Sequence, residues 1–310
     1  MKNILFRADS SATIGTGHIM RDLVLAEQYP DSKIIFATQE LKGNLNHKII
    51  EHGYNIEILK SNNINDVNEL IKKHNITMIV IDHYDIDYNY EKNLKEQNPS
   101  LTILSFDDTY EKHNCDILLN HNIYANESKY LQLVPKNCVL HCGQKYTLLR
   151  DEFIEAKKNL NRLNIDQHNR IFIAMGGADT ANLNPKIIQI LKKFDNIIVE
   201  IVTSVANRHI EELKKSVAGK KWINLHINSS KVAELMAKST FAIVTPSVTL
   251  NEVCYMKLPF IAIKTVENQK YMCSYLKERN LIILDEFNSS ILFKQIVKMM
   301  KNPIITDVSC

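Results

Sequence analysis

The chain has 310 residues, a formal net charge of +3, a hydrophobic share of 45% and a charged share of 24%. Because a typical domain has about 150 residues, this length predicts two domains. A charge this near neutrality argues against a nucleic-acid partner. Apolar runs stay well short of the roughly 20 residues that span a bilayer, and the first residues lack a signal-peptide pattern. We therefore expect a cytoplasmic protein with no membrane partner.

Six cysteines in so long a chain do not make a disulfide framework, and free thiols are expected. Cys138, His141 and Cys142 form the one local cluster of zinc-ligand types. A structural zinc site needs four ligands, and no second pair lies nearby in the sequence. We therefore predict no metal, and interpret the cysteines as half-buried residues of a strand.

The first elements resemble the start of a nucleotide-binding α/β domain. An apolar run from Asn3 to Ala8 predicts a strand, and a loop of small and polar residues follows it as far as Gly17. His18 then opens an amphipathic segment with Ile19 and Leu23 on one face. Ligands of open α/β sheets bind beyond the carboxyl ends of the strands. His18 is therefore our candidate catalytic residue.

Strands and helices alternate through the rest of the first half. The pattern predicts strands at 33–37, 56–59, 78–81, 101–106, 116–119 and 139–142, with helices at 44–52, 67–74 and 91–97. Asp66 is the expected cap of the second of these helices. A polar stretch at 157–169 suggests a domain boundary, which gives domains at 1–158 and 159–310.

The alternation then restarts. Strands are predicted at 170–175, 197–202, 223–227, 241–244, 260–263 and 281–284, and helices at 187–194, 209–217, 232–237 and 291–300. Asn184 and Ser289 are the expected caps of the first and last helices. The predicted fold class is α/β, with two Rossmann-like doubly wound domains facing a cleft. The last helix has an apolar face that would be covered either by the N-terminal domain or by a second copy.

The loop before His18 contains only part of a dinucleotide fingerprint. Gly15 and Gly17 are present, but Met20 occupies the third glycine position, and no strand is followed by a P-loop. We therefore expect neither a nicotinamide cofactor nor ATP hydrolysis. At a helix start, the dipole disfavours the imidazolium, so His18 could act as a general base. The alternative is a solvent-facing histidine with no role.

Two glycine- or hydroxyl-rich loops in the second half could bind a nucleotide. The stretch 245–252 follows a strand and opens a helix, so backbone N–H groups near Val248 and the hydroxyls of Ser247 and Thr249 could receive a pyrophosphate. Glu252 could accept hydrogen bonds from ribose hydroxyls. A capping box of Thr249 and Glu252 is the alternative interpretation. Gly176 and Gly177 could let the backbone approach a ligand, or simply form a turn.

Several acidic and aromatic residues follow the predicted strands of the first half. They are Asp82, Tyr84, Asp85, Asp107 and Asp108. Solvated loop residues are the simpler interpretation, but so many at one rim favour a polar sugar pocket. Asp85 and Asp87 also match the Asp-x-Asp signature of metal-dependent glycosyltransferases, a match that we interpret as coincidence.

Taken together, these motifs resemble one family, the UDP-2,4-diacetamido-2,4,6-trideoxy-altropyranose hydrolases of pseudaminic acid synthesis. The matching segments, in chain order, are 14–22, 81–84, 105–108, 115–120, 142–153, 175–179, 251–252 and 268–269. The resemblance implies a glycosyltransferase-B-like (GT-B-like) fold and removal of UDP from the sugar by water, with inversion and without metal or cofactor. The implied substrate is a UDP-linked diamino-trideoxy sugar.

The same resemblance implies roles for individual residues. His18 would be the base for the attacking water, and Tyr84 would lie beside the sugar. The implied ligand contacts are Gly17, Arg21, Asp107, Gly176, Gly177, Ser247, Val248, Thr249, Glu252 and Asn268. For Asn268, a cap on the following helix is the alternative.

Three other functions remain open at this stage: a glycosyltransferase that uses a UDP-sugar donor, a UDP-sugar 2-epimerase, and a non-catalytic UDP-sugar-binding protein. Either a monomer or a homodimer is compatible with the sequence.

Overall fold

A computed structural model of the chain describes residues 2–159 and 169–301. It contains two compact units, which meet in the chain between Leu148 and Leu149. The predicted boundary after residue 158 falls later, because the helix Asp151–Lys158 packs on the helix Val232–Ala237 of the second unit. Most of the polar stretch at 157–169 lies outside the described residues.

The first unit is a seven-stranded parallel sheet. Its strands are β1 (Asn3–Ala8), β2 (Lys33–Gln39), β3 (Asn55–Leu59), β4 (Met78–Asp82), β5 (Thr102–Phe106), β6 (Ile117–Asn120) and β7 (Val139–Cys142). They lie in the order β3-β2-β1-β4-β5-β6-β7. The connecting helices are α1 (Gly17–Glu27), α2 (Asn46–Glu51), α3 (Ile64–Lys73) and α4 (Tyr88–Gln97).

Helices cover both faces of this sheet, which explains the continuous apolar runs of its strands. In β1, Leu5 packs in one core cluster with Ile35 and Ile79, while the neighbouring Phe6 packs in the other cluster with Phe36. Successive strand residues point to opposite faces, so a strand buried on both sides has no polar alternation.

The second unit is a six-stranded parallel sheet. Its strands are β8 (Asn169–Ala174), β9 (Ile197–Thr203), β10 (Ile223–Ile227), β11 (Phe241–Val244), β12 (Phe260–Ile263) and β13 (Ile283–Leu284), in the order β10-β9-β8-β11-β12-β13. Its helices are α5 (Asp151–Lys158), α6 (Leu183–Leu191), α7 (Ile210–Val217), α8 (Val232–Ala237), α9 (Val248–Tyr255), α10 (Lys270–Glu278) and α11 (Ser289–Lys301).

Both sheets reverse their strand order next to the first strand. In the first unit the reversal lies between β1 and β4, and in the second it lies between β8 and β11. Ligands of doubly wound sheets bind beyond the carboxyl ends of the strands at this reversal. The loops that begin at Asp9, His83, Met175 and Thr245 are therefore the places to look for function.

The last helix belongs to the core of the second unit. In α11, Leu292, Ile296 and Met299 are buried in the same cluster as Ile187 and Leu191 of α6. The apolar face predicted for this helix is thus covered within its own unit. Pro303 and the tail to Cys310 lie outside the described residues.

Three predicted helix caps are wrong. Asn63, not Asp66, accepts the capping hydrogen bond of α3, from the Asn65 N–H. Because α6 already begins at Leu183, Asn184 lies inside it. At the start of α11 the Asn288 side chain, not Ser289, accepts from the Ile291 N–H at 3.0 Å. In residues 2–159 and 169–301, every helix is too short or too polar to cross a bilayer.

Candidate active site

His18 lies at the reversal point of the first sheet. It is the second residue of α1 and is 7% exposed. Its Nδ1 lies 3.1 Å from the backbone oxygen of Asp82, at the end of β4, and 3.3 Å from the Asp82 Oδ1. The imidazole thus lies between the start of α1, which follows β1, and the end of β4.

These contacts determine where the His18 ring carries its proton. Both atoms beside Nδ1 are oxygens that accept hydrogen bonds, so Nδ1 must be the donor. In the neutral ring this leaves the lone pair on Nε2, the nitrogen that can remove a proton from water. The predicted role as a base therefore has a matching tautomer.

Asp82 is a buried carboxylate between His18 and Arg21. The Arg21 Nε donates to Asp82 Oδ2 at 2.6 Å, and the Arg21 guanidinium also lies 4.7 Å from the centre of the Phe106 ring. Burial by itself raises the pKa of Asp82, but the Arg21 and His18 charges outweigh it and lower that pKa below its usual value. Asp82 therefore stays ionised and can stabilise positive charge on His18.

Tyr84 contacts His18, and Asp108 contacts Tyr84. The Tyr84 ring meets the His18 ring edge-on, with 5.0 Å between the ring centres. The Tyr84 hydroxyl donates to Asp108 Oδ2 at 2.9 Å, and Arg21 Nη1 lies 3.5 Å from the same oxygen. Burial and the Asp108 carboxylate raise the pKa of Tyr84, so its phenol keeps its proton. Tyr84 remains half-exposed.

Asp107, which the family resemblance marks as a ligand contact, uses its carboxylate inside its own unit. Oδ1 accepts from the N–H and hydroxyl of Thr109, and Oδ2 accepts from the Glu111 N–H and the Tyr130 hydroxyl. These four bonds hold the loop after β5. Its neighbour Asp108, not Asp107, is the carboxylate that contacts Tyr84 and Arg21.

A second buried network, missed at the sequence level, holds the loop that carries Tyr84. His83 Nε2 lies 3.0 Å from Asp9 Oδ2, and Asp9 receives two hydrogen bonds from Arg7. The Asp85 N–H donates to His83 Nδ1 at 3.1 Å. The pairing of Arg7 and Asp9 is recognisable only once β1 is known to be covered on both faces.

Asp22 is a buried acid without a hydrogen-bonding partner in the described part of the chain. It follows His18 by one helical turn, is 0% exposed, and neither of its carboxyl oxygens is paired. Burial, and then the Asp82 charge, raise the pKa of Asp22 well above its usual value. Asp22 is therefore neutral where Asp82 is ionised.

Asp87 has a structural explanation. Its side chain accepts from the Tyr90 N–H as the N-cap of α4. This agrees with the interpretation of the Asp-x-Asp match as coincidence. Within residues 2–159 and 169–301, no group of three His, Cys, Asp or Glu side chains is arranged to hold a metal ion.

In the second unit, Gly176 and Gly177 form the loop after β8. Gly176 has a φ of +76°, a conformation that L side chains rarely adopt. The Gly177 backbone oxygen accepts from the Thr203 and Ser204 hydroxyls at 3.1 and 2.9 Å. Asp179 accepts from the Leu183 and Asn184 N–H groups, so it caps α6.

The start of α9 lies at the reversal point of the second sheet. Ser247 is its N-cap residue, but the Ser247 side chain makes no capping bond, and no acidic residue lies in the first turn. The Ser247 hydroxyl lies 3.0 Å from the Thr245 hydroxyl instead. Because Thr249 is inside the helix, the capping-box alternative for Thr249 and Glu252 is wrong. A helix start that has neither a side-chain cap nor an acidic residue in its first turn suits a bound anion.

Glu252 is held by a residue that sequence reasoning did not single out as functional. Arg150 Nη2 donates to Glu252 Oε1 at 3.0 Å, and Arg150 also pairs with Glu152 at 2.5 Å. Burial raises the pKa of Glu252 despite the Arg150 charge. In the sequence, Arg150 is marked only as one of the residues that carry the family resemblance.

Asn268 is exposed in the 3₁₀ turn Glu267–Gln269. Gln269 occupies the N-cap position of α10, so the alternative role of Asn268 as that cap is wrong. The Gln269 side-chain oxygen accepts from the Thr265 N–H at 2.8 Å and so holds this turn in place.

Comparison with known proteins relates these sites to a family. No family model matches the chain. Over 276 residues it is 40% identical to the UDP-2,4-diacetamido-2,4,6-trideoxy-β-L-altropyranose hydrolase of Campylobacter jejuni, covering 89% of this chain and 96% of that protein. The chain belongs to the family of this hydrolase. It is also 27% identical to the uncharacterized protein MJ1062 of Methanocaldococcus jannaschii, but spans only 55% of that protein's length.

Solved structures share the fold at low sequence identity. MurG of Acinetobacter baumannii matches with a TM-score of 0.63 and 11% identity, over 97% of this chain and 91% of MurG. HepE of Anabaena, in complex with UDP-glucose, matches with a TM-score of 0.60 and 12% identity, over 97% of this chain and 90% of HepE. MnaA of Staphylococcus aureus, bound to UDP, matches with a TM-score of 0.62 and 13% identity, over 97% of this chain and 88% of MnaA. The predicted fold class, two Rossmann-like units of the GT-B type, is confirmed.

Proposed function

We propose that this protein hydrolyses UDP-2,4-diacetamido-2,4,6-trideoxy-β-L-altropyranose, with water attacking the anomeric carbon and UDP leaving with inversion. The C. jejuni relative that gives the family its name supports the substrate. One observation carries the mechanism: the His18 ring donates from Nδ1 to Asp82 and so keeps its lone pair on Nε2.

His18 acts as the general base in this proposal. As Nε2 takes a proton from the attacking water, the ring becomes positively charged. Asp82 lies 3.3 Å from Nδ1 and stabilises that charge. Arg21 keeps Asp82 ionised and oriented, so Arg21 acts as a positioning residue. Tyr84, half-exposed beside the imidazole, contacts the sugar.

The second unit binds UDP. The first turn of α9, with the Ser247 and Thr249 hydroxyls and the Val248 N–H, receives the diphosphate. Negative charge grows on that diphosphate as the sugar leaves, and a helix start stabilises it. Glu252 accepts from the ribose hydroxyls, the backbone at Gly176 and Gly177 approaches the nucleotide, and Asn268 contacts the substrate. Gly17, at the start of α1, lines the sugar side.

Neither a metal ion nor a cofactor is part of this mechanism. In metal-dependent transfer from a nucleotide sugar, a divalent ion neutralises the departing diphosphate. Here the α9 N-terminus supplies that stabilisation.

The experiment is to incubate the purified protein with the UDP-sugar alone in isotopically labelled water, and to follow the reaction by proton NMR and mass spectrometry. Hydrolysis predicts UDP release without an acceptor, one labelled oxygen on the free sugar, and inverted configuration in the first product formed. Turnover only with an added acceptor would instead indicate a glycosyltransferase. A product changed at C2 would indicate an epimerase, and binding without turnover a binding protein.

A further inference from the structure

Two cysteines lie side by side at the end of the first sheet where its strands begin, whereas His18 lies at the end where the strands finish. Cys115 precedes β6 and Cys138 precedes β7, and their sulfur atoms are 3.7 Å apart. The strands that follow them, β6 and β7, pair in parallel, with Ile117 opposite Val139. The Val139 N–H donates to the Asp116 backbone oxygen at 2.9 Å. The sulfurs are therefore neighbours because paired backbone holds them together.

The two thiols have different surroundings. Cys115 is 4% exposed, whereas Cys138 is half-buried and accessible from solvent. The hydrogen bond with Cys115 lowers the pKa of Cys138, and the His113 charge contributes in the same direction. The same hydrogen bond and burial raise the pKa of Cys115. Cys138 is thus the accessible thiol that ionises first, and Cys115 is the sheltered one.

In its protonated form, which the Glu91 carboxylate favours, His113 is a cation that acts electrostatically on this pair. Its Nδ1 donates to Glu91 Oε1 at 2.8 Å, and the fully buried Glu91 also accepts from the Ser105 hydroxyl and the Asn114 N–H, both at 2.6 Å. Burial lowers the pKa of His113, but the Glu91 carboxylate outweighs that effect and raises it. The His113 Nε2 is buried and has no hydrogen-bond partner among the described residues. Thiolates form preferentially next to such a cation.

We propose that Cys115 and Cys138 are a dithiol site that forms a reversible disulfide with a low-molecular-weight disulfide as oxidant. The Cys138 thiolate attacks one sulfur of the oxidant, forms a mixed disulfide and releases one small thiolate. Cys115 then loses its proton and attacks the Cys138 sulfur, which releases the second small thiol. Two protein thiols are oxidised, and one small disulfide is reduced to two thiols.

The geometry needs little change for this reaction. A disulfide has sulfur atoms about 2.05 Å apart, so the pair must approach by less than 2 Å, a movement within reach of side-chain rotation. The bond would tie the amino ends of β6 and β7 together and close the loop between them. A closed loop loses conformational freedom in the unfolded chain, so the oxidised protein should unfold at a higher temperature.

The test is to reduce the full-length protein, remove the reductant, add oxidised glutathione, and measure intact mass and cysteine-containing peptides over time. We expect a Cys115–Cys138 cross-linked peptide, a higher unfolding temperature, and reversal of both by dithiothreitol. Cys115→Ser should stop at a stable glutathione adduct on Cys138. Cys138→Ser should lose the cross-link and leave Cys115 largely unmodified. His113→Asn should slow oxidation several-fold.

The matched control is Cys142→Ser, which removes a buried thiol of β7 and should leave the cross-link and its rate unchanged. If a serine variant fails to fold, the alanine variant at that position replaces it, with thermal unfolding as the check. The proposal is overturned if the wild-type peptides stay reduced. It is equally overturned if Cys115→Ser leaves Cys138 unmodified. UDP-sugar turnover plays no part in these readouts, so their failure would not bear on the hydrolase proposal.

Discussion

At the residue scale, one imidazole is oriented by a carboxylate that a buried arginine keeps ionised. His18, Asp82 and Arg21 come from the first helix and the fourth strand, and only the strand order brings them together. The sequence predicts His18 from its place after β1. It does not predict the tautomer of the ring, because that depends on the backbone oxygen of Asp82, 64 residues away.

The adjacent acids Asp107 and Asp108 provide a matched pair of substitutions. Asp107→Asn should lower the free energy of unfolding by about 1 to 3 kcal/mol, since an amide cannot accept all four bonds that the carboxylate receives. Asp108→Asn should barely change stability but should lower kcat/KM several-fold, because Asp108 contacts Tyr84 and Arg21. Urea unfolding and UDP-release rates check both. Equal stability of the two variants would contradict this division of roles.

The raised pKa of the buried Asp22 predicts that the free energy of unfolding depends on pH. Its pKa is raised in the folded protein, so the folded state holds a proton that the unfolded state loses above about pH 4. The contribution of Asp22 to stability is therefore greatest at low pH and is lost as pH rises toward the folded pKa. In Asp22→Asn this loss is absent.

The stability difference, Asp22→Asn minus wild type, should consequently grow between about pH 5 and about pH 7.5, by up to about 1.4 kcal/mol per pH unit. Urea unfolding at the two pH values measures it. A difference that stays constant, or that shrinks as pH rises, would contradict the neutral state assigned to this acid.

At the element scale, buried strands were easier to predict than helix starts. The strands at 241–244 and 260–263 agree residue for residue, because apolar runs buried on both faces leave no alternative. The strand at 223–227 also agrees, although its apolar residues alternate with the polar Asn224 and His226. The caps of α3, α6 and α11 were wrong, since several side chains near each start could accept the same N–H groups. The helix α5 was missed because the polar linker pattern obscured its end.

The element α11 offers a stability test with an internal control. Leu292 is 0% exposed and packs in the core of the second unit, whereas its neighbour Ile291 is 47% exposed. Leu292→Ala should lower the free energy of unfolding by about 2 to 5 kcal/mol. Ile291→Ala should change it by less than about 0.5 kcal/mol. Comparable losses in the two variants in thermal or urea unfolding would contradict the observed face.

At the scale of the whole molecule, we propose a different chemical role for each unit at its own strand reversal. The first has the proposed base, His18, and an acidic rim, and the second has a helix start suited to an anion beside a buried glutamate. We predicted this division from the place of His18 after the first strand of one half and from the glycine- and hydroxyl-rich loops of the other half. It could not predict that Glu252 is held by Arg150, a contact between the starts of α5 and α9 that appears only in the folded chain.

The metal-free mechanism predicts that chelation has no effect. Addition of EDTA to protein freed of divalent ions should leave the rate of UDP release within about twofold, since the proposal assigns stabilisation of the diphosphate charge to the start of α9. Magnesium added back serves as the control. A loss of activity that magnesium restores would contradict the proposal on this point.

The most direct test of the account compares wild type with His18→Gln for two quantities, the rate of UDP release from the UDP-sugar and the affinity for UDP by calorimetry. The proposed mechanism predicts a turnover lower by about 10² to 10⁴ and an unchanged Kd for UDP, because the proposed base and the proposed nucleotide site lie in different units. Wild-type turnover in the variant, or a turnover loss matched by an equal loss of UDP affinity, would contradict it.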